Sequence, residues 1–166
     1  MFFVRTASAR DIEPVRLLLS ETLHAAYDDV HGAVKVQQML DRLYSANALK
    51  ARLAEKGGEF LVADDGKELG GMGFANMSTA EAKTSLLKDL YVRPANQRQG
   101  IGRDLFAELE TCFPDAERMR VEVAADSAAA NGFLEAHGFA EVGRIDGSAN
   151  DEWTLPKRIL EKPLSS

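Results

Sequence analysis

Apolar positions along this chain follow two periods, and the places where the period changes mark its elements. Ile12, Val15, Leu18, Leu19, Leu23 and Ala26, with Thr22, recur at helical spacing and predict one buried helix face. Ser8 and Asp11 can both cap that helix, and Pro14 falls in its first turn if Asp11 is the cap. A second helical region is expected over residues 33–56, with Met39, Leu40, Leu43, Leu49 and Leu53 as its apolar stripe. It carries a break signal at Ser45-Ala46-Asn47 and a stop at Gly57-Gly58. Leu105, Phe106, Leu109, Cys112 and Phe113 predict a helix over 99–113, and a short helix over 127–137 stops at Gly138.

Strands are expected over 2–5, 59–63, 68–77, 83–92, 119–124, 139–145 and 152–161. In the fifth, Met119, Val121 and Val123 take one side, and Arg120 and Glu122 the other. Asp65-Gly66 is a hairpin turn signal. Gly70, Gly71 and Gly73 predict a bulge or a close approach of another part of the chain, and no helix follows them as a phosphate loop would require. Pro156 places the last strand at an edge or splits it. The order is β-α-α-β-β-β-α-β-α-β-β.

Length and charge narrow the function. A chain of 166 residues is by default one domain, here residues 1–166. A net charge of −6 and a pI near 5.1 argue against a nucleic-acid partner and suit a cationic substrate. No apolar run approaches the ~18 residues of a membrane span, and the N-terminal apolar run is too short for a signal peptide. These readings make a cytoplasmic protein with no membrane partner the expectation. Cys112, the single cysteine, allows no internal disulfide and reads as a small core residue. The three histidines, His24, His31 and His137, lack metal-ligand spacing, so no metal is expected.

The chemistry concentrates in residues 87–109. Leu87, Leu90, Tyr91 and Val92 form a strand, Pro94 and Asn96 break it, and Gln97-Arg98-Gln99-Gly100-Ile101-Gly102 opens a helix. The first N–H groups of a helix lack internal partners and carry the positive end of its dipole. Glycines there let an anion approach without meeting a Cβ. Arg93, Arg98 and Arg103 lie in a stretch without acids, so the expectation is a diphosphate site on which three arginines converge. The run is not G-x-x-x-x-G-K-S/T. It also lacks the third glycine of a dinucleotide fingerprint, because position 105 is Leu105.

Gln97-x-x-Gly100-x-Gly102, with Leu90-Tyr91-Val92 and Pro94 in register, resembles the acyl-CoA-binding motif of the GNAT (Gcn5-related) N-acetyltransferase superfamily. Residues 127–139 resemble that family's second segment, N-x-x-A-x-x-F-Y-x-x-x-G-F, through Ala130, Phe133, Gly138 and Phe139. Two positions depart. Ser127 stands where the family's coenzyme-touching asparagine falls, with Asn131 nearby but out of register, and Leu134 replaces the tyrosine general acid.

The resemblance implies an α/β GNAT fold, with a mixed, mostly antiparallel sheet of about seven strands and helices on both faces. It implies acetyl-CoA as cosubstrate, without a metal. Leu90, Tyr91 and Val92 would pair with the pantetheine arm, and Gln97, Arg98, Gln99, Gly100, Ile101, Gly102 and Arg103 would hold the pyrophosphate, with Ser127 and Asn131 as further coenzyme contacts. The implied reaction transfers acetyl to a primary amine of a small molecule or peptide, by direct attack in a ternary complex. Asp89 and Glu122 are the candidate bases, although a salt bridge from Asp89 to Lys88 or an arginine is an equal reading. Tyr27, Tyr44 or Tyr91 would supply a proton in place of Leu134, with Tyr91 nearest the thioester. Tyr27 and Asp89 are candidate acceptor contacts, together with His24, His31, Asp28 and Asp29 as a rim. Two alternatives stay open: a CoA-binding module that has lost catalysis and acts as a sensor, and a longer-chain acyltransferase. The last strand could also pair across a homodimer.

Overall fold

The computed structural model describes residues 1–146 and 156–164. The two hydrophobic periods become strands and helices in the expected order, with one helix more. These elements are β1 (Phe3–Thr6), α1 (Ile12–His31), α2 (Ala33–Leu43), α3 (Ala46–Ala54), β2 (Gly58–Asp64), β3 (Leu69–Met77), β4 (Thr84–Val92), α4 (Ile101–Thr111), β5 (Arg118–Ala124), α5 (Ala128–Ala136), β6 (Ala140–Ile145) and β7 (Lys157–Pro163). The extra helix arises at the expected break. The Ser45 hydroxyl accepts from the Ala48 N–H at 3.1 Å and caps α3 as a new helix. The strands form one seven-stranded mixed sheet in the order β1-β2-β3-β4-β5-β7-β6, with β4 and β5 parallel.

The last strand departs from expectation. β7 begins after Pro156 and lies between β5 and β6, antiparallel to both, so it is neither an edge nor split by the proline. It cannot offer the free edge that pairing across a homodimer needs. Positions 152–155 of the expected strand, with Trp153, lie outside the described residues.

Contacts group the chain into two compact units, one of Met1–Ala75 with Asp89–Cys112, the other of Asn76–Lys88 with Phe113–Ser166. In the first, α1 buries Ile12, Val15, Leu18, Leu19, Thr22 and Leu23, whereas Ala26 is exposed. Asp11 is the N-cap residue of α1, which puts Pro14 in the first turn as expected, but its side chain makes no capping bond to the helix. Its carboxylate accepts from the Ser8 N–H and from Arg5, both at 2.8 Å, and Arg5 also meets Asp64. The Arg5 guanidinium holds the Asp11 carboxyl below the usual carboxylate range. The consecutive residues Phe60, Leu61, Val62 and Ala63 of β2 are all buried, so both faces of that strand are covered.

The β3 glycines serve close approach. A Cβ on Gly71 would lie 2.9 Å from Ile101 Cγ2 and 3.0 Å from Leu105 Cδ1, and one on Gly73 would lie 2.7 Å from Leu109 Cδ1. Ile101, Leu105 and Leu109 are the i, i+4, i+8 ridge of α4, and they rest where β3 has no side chains.

In the second unit, β5 pairs with β4 from Thr84–Arg118 to Leu87–Val121, where the registered pairs end. Arg120 on β5 faces Glu161 on β7, donating from Nε at 2.7 Å. α5 ends at Gly138, whose φ of +96° suits glycine.

Candidate active site

The turn between β4 and α4 is built from two left-handed residues. Arg98 has φ +66° and Gly100 φ +82°, and Gly100 is the residue that opens α4. Where left-handed residues alternate with right-handed ones, successive N–H groups turn to one side in a form that suits an anion. Asp104 N–H is the first to bond back, to Gly100 C=O at 3.0 Å. The N–H groups of Ile101, Gly102 and Arg103 therefore stand outside the helix ladder. Gln97, Arg98, Gln99 and Arg103 are exposed. A Cβ on Gly100 would lie 2.7 Å from the end of the Arg103 guanidinium, so this glycine leaves room for that cation beside the turn.

Arg93 does not join this convergence. It is buried and pairs with Glu68 at 3.2 Å and Glu21 at 3.5 Å. Two arginines, Arg98 and Arg103, are left at the turn.

Asp89 and Tyr91, two apart on β4, project to one face, and Tyr44 meets both. Asp89 is buried, and each of its oxygens is engaged. Tyr44 donates to Oδ1 at 2.8 Å and Arg52 donates from Nε to Oδ2 at 2.9 Å. Arg52 also donates to the Leu43 and Ala48 carbonyls at 3.2 Å, and its guanidinium lies 5.0 Å from the Tyr44 ring centre. The arginine that explains this buried carboxylate is thus Arg52, rather than Lys88 being its partner. Tyr44 and Tyr91 hydroxyls are 3.3 Å apart, with their rings edge to face. Burial, followed by Tyr91 and Asp89, pushes the Tyr44 phenol well above its ordinary range. Burial, and then Asp89, does the same to Tyr91, with Tyr27 adding to the effect.

His24 on α1 is engaged at both ring nitrogens. Nδ1 meets Asp28 at 2.6 Å and Nε2 meets Gln37 Oε1 at 3.0 Å, while Gln37 donates to Asp41 at 2.9 Å. These bonds tie α1 to α2 and take His24 and Asp28 out of a freely solvated rim. Tyr27 is half-buried, with its ring 5.9 Å from that of His31.

In the second unit, Glu122 is exposed on β5, and its side chain has no hydrogen bond or ion pair among the described residues. Leu134 is packed in the core. Asn131 is buried, and both of its amide hydrogens and its amide oxygen are engaged within the protein. Nδ2 donates to Ala124 C=O at 2.9 Å and Ser127 C=O at 2.7 Å, and Oδ1 accepts from Arg158. Ser127 stands at the N-cap of α5, where its side chain makes no capping bond. His137 is bonded to Phe133 C=O at 2.8 Å and packs on the Phe133 ring. Cys112 meets Glu108 C=O at 3.0 Å, and burial pushes its thiol up, which disfavours a nucleophilic thiolate. No group of three His, Cys, Asp or Glu residues is arranged to hold a metal among the described residues. No helix among them is long and apolar enough to cross a membrane.

Sequence reasoning missed Arg52 and underrated Tyr44. Arg52 falls inside an expected amphipathic helix, where its place reads as an ordinary solvated position. Only the β4 acid, costly to bury unpaired, hinted that some cation had to meet it.

Residues 25–150 match the sequence model of a family described as "Acetyltransferase (GNAT) domain". The chain belongs to this family. Its structure is similar to that of PaiA N-acetyltransferase from Thermoplasma acidophilum in complex with coenzyme A, with a TM-score of 0.83 at 20% identity over 98% of this chain and 99% of that one. It is also similar to a ribosomal-protein-alanine N-acetyltransferase from Escherichia coli (TM-score 0.74, 16% identity, 100% of this chain and 96% of that one). An acetyltransferase of GNAT family from Staphylococcus aureus gives a TM-score of 0.76 at 14% identity, over 99% of this chain and 100% of that one. No curated protein matches the sequence.

Proposed function

We propose that this protein is an acetyl-CoA-dependent N-acetyltransferase that acts on a primary amine. The observation that carries the reading is the β4–α4 turn. Left-handed Arg98 and Gly100 present N–H groups outside the helix ladder beside two exposed arginines, in a member of the acetyltransferase family. The coenzyme-bound relative supports the same ligand here.

The bound coenzyme supplies an acetyl thioester. On this reading, N–H groups from Arg98 to Arg103 hold the pyrophosphate, with Arg98 and Arg103 screening its charge, whereas the Gln97 N–H already meets the Pro94 carbonyl at 3.4 Å. Backbone groups of Leu90, Tyr91 and Val92 hold the pantetheine arm as an added strand would. An N–H near Leu90 polarises the thioester carbonyl. The amine nitrogen attacks the acetyl carbon, the C–S bond breaks, and the proton lost by nitrogen balances the thiol released. Glu122, exposed and with no side-chain partner among the described residues, is the candidate base for that proton. Asp89, locked by Arg52 and Tyr44, is better suited to fix its neighbours than to exchange protons itself. Ser127, whose hydroxyl makes no capping bond, is free to contact the coenzyme, whereas the Asn131 amide is already spent.

Buried Leu134 favours a second reading, a coenzyme-binding domain with little or no turnover. A leucine cannot protonate the departing thiolate, although a thiol of pKa near ~8.5 leaves with modest help.

The deciding experiment is the melting temperature with and without acetyl-CoA, beside an Arg98→Glu, Gly100→Asp double variant. Ligand at about 100 times its Kd adds ~2.7 kcal/mol. A rise in the parent that the variant lacks supports the coenzyme site, and release of free thiol with an amine present then separates the two readings. No rise in the parent rejects both.

A further inference from the structure

The hydroxyl chain on β4 has a fixed direction. Asp89 is ion-paired with Arg52 at 2.9 Å, and the carboxylate of an ion pair only accepts. Tyr44 therefore spends its single proton on Asp89 Oδ1, at 2.8 Å. Across the 3.3 Å contact with Tyr91, Tyr44 has only a lone pair left to offer. With the Tyr44 proton on Asp89, a hydrogen bond across that contact takes its proton from Tyr91. Tyr91 thus has its proton turned inward, towards Tyr44 and Asp89, and its remaining oxygen lone pairs turned elsewhere. Within the chain of Asp89, Tyr44 and Tyr91, Tyr91 is the member that is half-buried rather than buried.

This direction has a chemical consequence. A phenol whose proton is turned to an inner partner is a poorer donor to a leaving thiolate. It can accept from an N–H. The geometry points to Tyr91 as the hydrogen-bond acceptor for the attacking amine, with Tyr44 as the positioning residue that sets its polarity through Asp89. The assignment rests on the acetyltransferase reading and deepens it. Tyr91 orients the nucleophile's N–H, so that the nitrogen lone pair is left for attack, and it favours an N–H-bearing acceptor over a ligand that presents only acceptor atoms.

Tyr44 has no part in the coenzyme contacts proposed above, and Tyr91 enters them only through backbone groups that Tyr91→Phe keeps, so their hydroxyl-deleting variants separate amine binding from coenzyme binding. Tyr91→Phe and Tyr44→Phe would be assayed with acetyl-CoA and three probe amines: 1,4-diaminobutane, lysine amide and an alanyl peptide. The acetyl-CoA-induced rise in melting temperature serves as the check on folding and coenzyme binding. In Tyr91→Phe, the KM for the amine is expected to rise about tenfold, the worth of one hydrogen bond of ~1.4 kcal/mol, with the KM for acetyl-CoA and the thermal shift unchanged. In Tyr44→Phe, the Tyr91 proton is released from its partner, and a competitor in which an ether oxygen replaces the amine should bind better than it does to the parent. A purely structural role for Tyr44 predicts equal losses for amine and ether. A parent that acetylates an amine while Tyr91→Phe keeps the same amine KM overturns the assignment alone. A parent that binds no acetyl-CoA, or acetylates none of the probes, overturns the function on which the assignment rests, and the assignment with it.

Discussion

Ile101, the first residue of α4, packs directly over Gly71 of β3, so closely that a Cβ on the glycine would lie 2.9 Å from Ile101 Cγ2 and 2.9 Å from the Tyr91 carbonyl. The helix that follows the β4–α4 turn is seated on a strand position with no side chain. Gly71→Ala is therefore expected to cost about 1–3 kcal/mol through overpacking, read as a lower urea midpoint. Ile101 adjoins Gly100, so the same variant should also show a smaller thermal shift with acetyl-CoA. Gly132 provides the contrast. It lies inside α5, where a Cβ meets nothing within 4 Å and φ is ordinary. Gly132→Ala should stabilise the protein by about 0.5–1 kcal/mol. A destabilised Gly132→Ala variant would contradict this packing.

Arg98 allows charge to be separated from backbone shape. A non-glycine residue at φ +66° is strained, and glycine is at ease there. Arg98→Gly should leave the melting temperature of the free protein within a few degrees, about 1 kcal/mol, of the parent. Its affinity for acetyl-CoA should fall about tenfold through loss of the cation. Isothermal titration at low salt would measure this, and an unchanged Kd would remove Arg98 from the site.

The Asp89–Arg52 pair carries a stability prediction. Asp89 is buried and the Arg52 side chain is only 19% exposed. Arg52→Ala leaves a buried carboxylate with Tyr44 alone and should cost about 3–5 kcal/mol in urea unfolding. Removing both charges, as in Arg52→Met with Asp89→Leu, should cost less than Arg52→Ala by itself. A larger loss in the double variant would show that the pair itself is strongly stabilising.

His24 makes the α1–α2 contact sensitive to pH. The Asp28–His24–Gln37–Asp41 chain has three links and acceptor-only carboxylates at both ends. Gln37 supplies one donor along it, so the imidazole must supply two, which only its protonated form does. The bonds to Gln37 and then Asp28 accordingly raise the His24 pKa. A pKa raised on folding contributes stability that is fully present below the unfolded value of ~6.5 and is lost as pH rises through the folded value. The melting-temperature gap between parent and His24→Ala should be wide near pH ~5.5 and narrow near pH ~9. A gap independent of pH would mean that the imidazole is not charged in the fold.

Much of the element order was legible because it depends on neighbours in sequence. Periodicity placed β4 and α4 within two residues of their observed bounds, and Ser45 marked the break that became α3. The glycines of β3 announced a close approach without saying by what. The turn at Gly100 was legible too, because a left-handed residue at a helix start calls for glycine. Arg98 in the same conformation carries no such mark.

The sequence by itself determined most of the strands and helices and the place of the β4–α4 turn, since those follow from period, capping and backbone freedom over a few residues. Tertiary structure alone decided which charges meet. Arg93 sits in the basic stretch yet is drawn to Glu21 and Glu68, and Asp89 finds Arg52 and Tyr44, some 37 and 45 positions away. It also decided that β7 lies inside the sheet, a place Pro156 alone did not reveal. Partners so distant in the chain are chosen by strand register and helix packing, which no local pattern encodes, and the proton direction at Tyr91 follows from one of those choices.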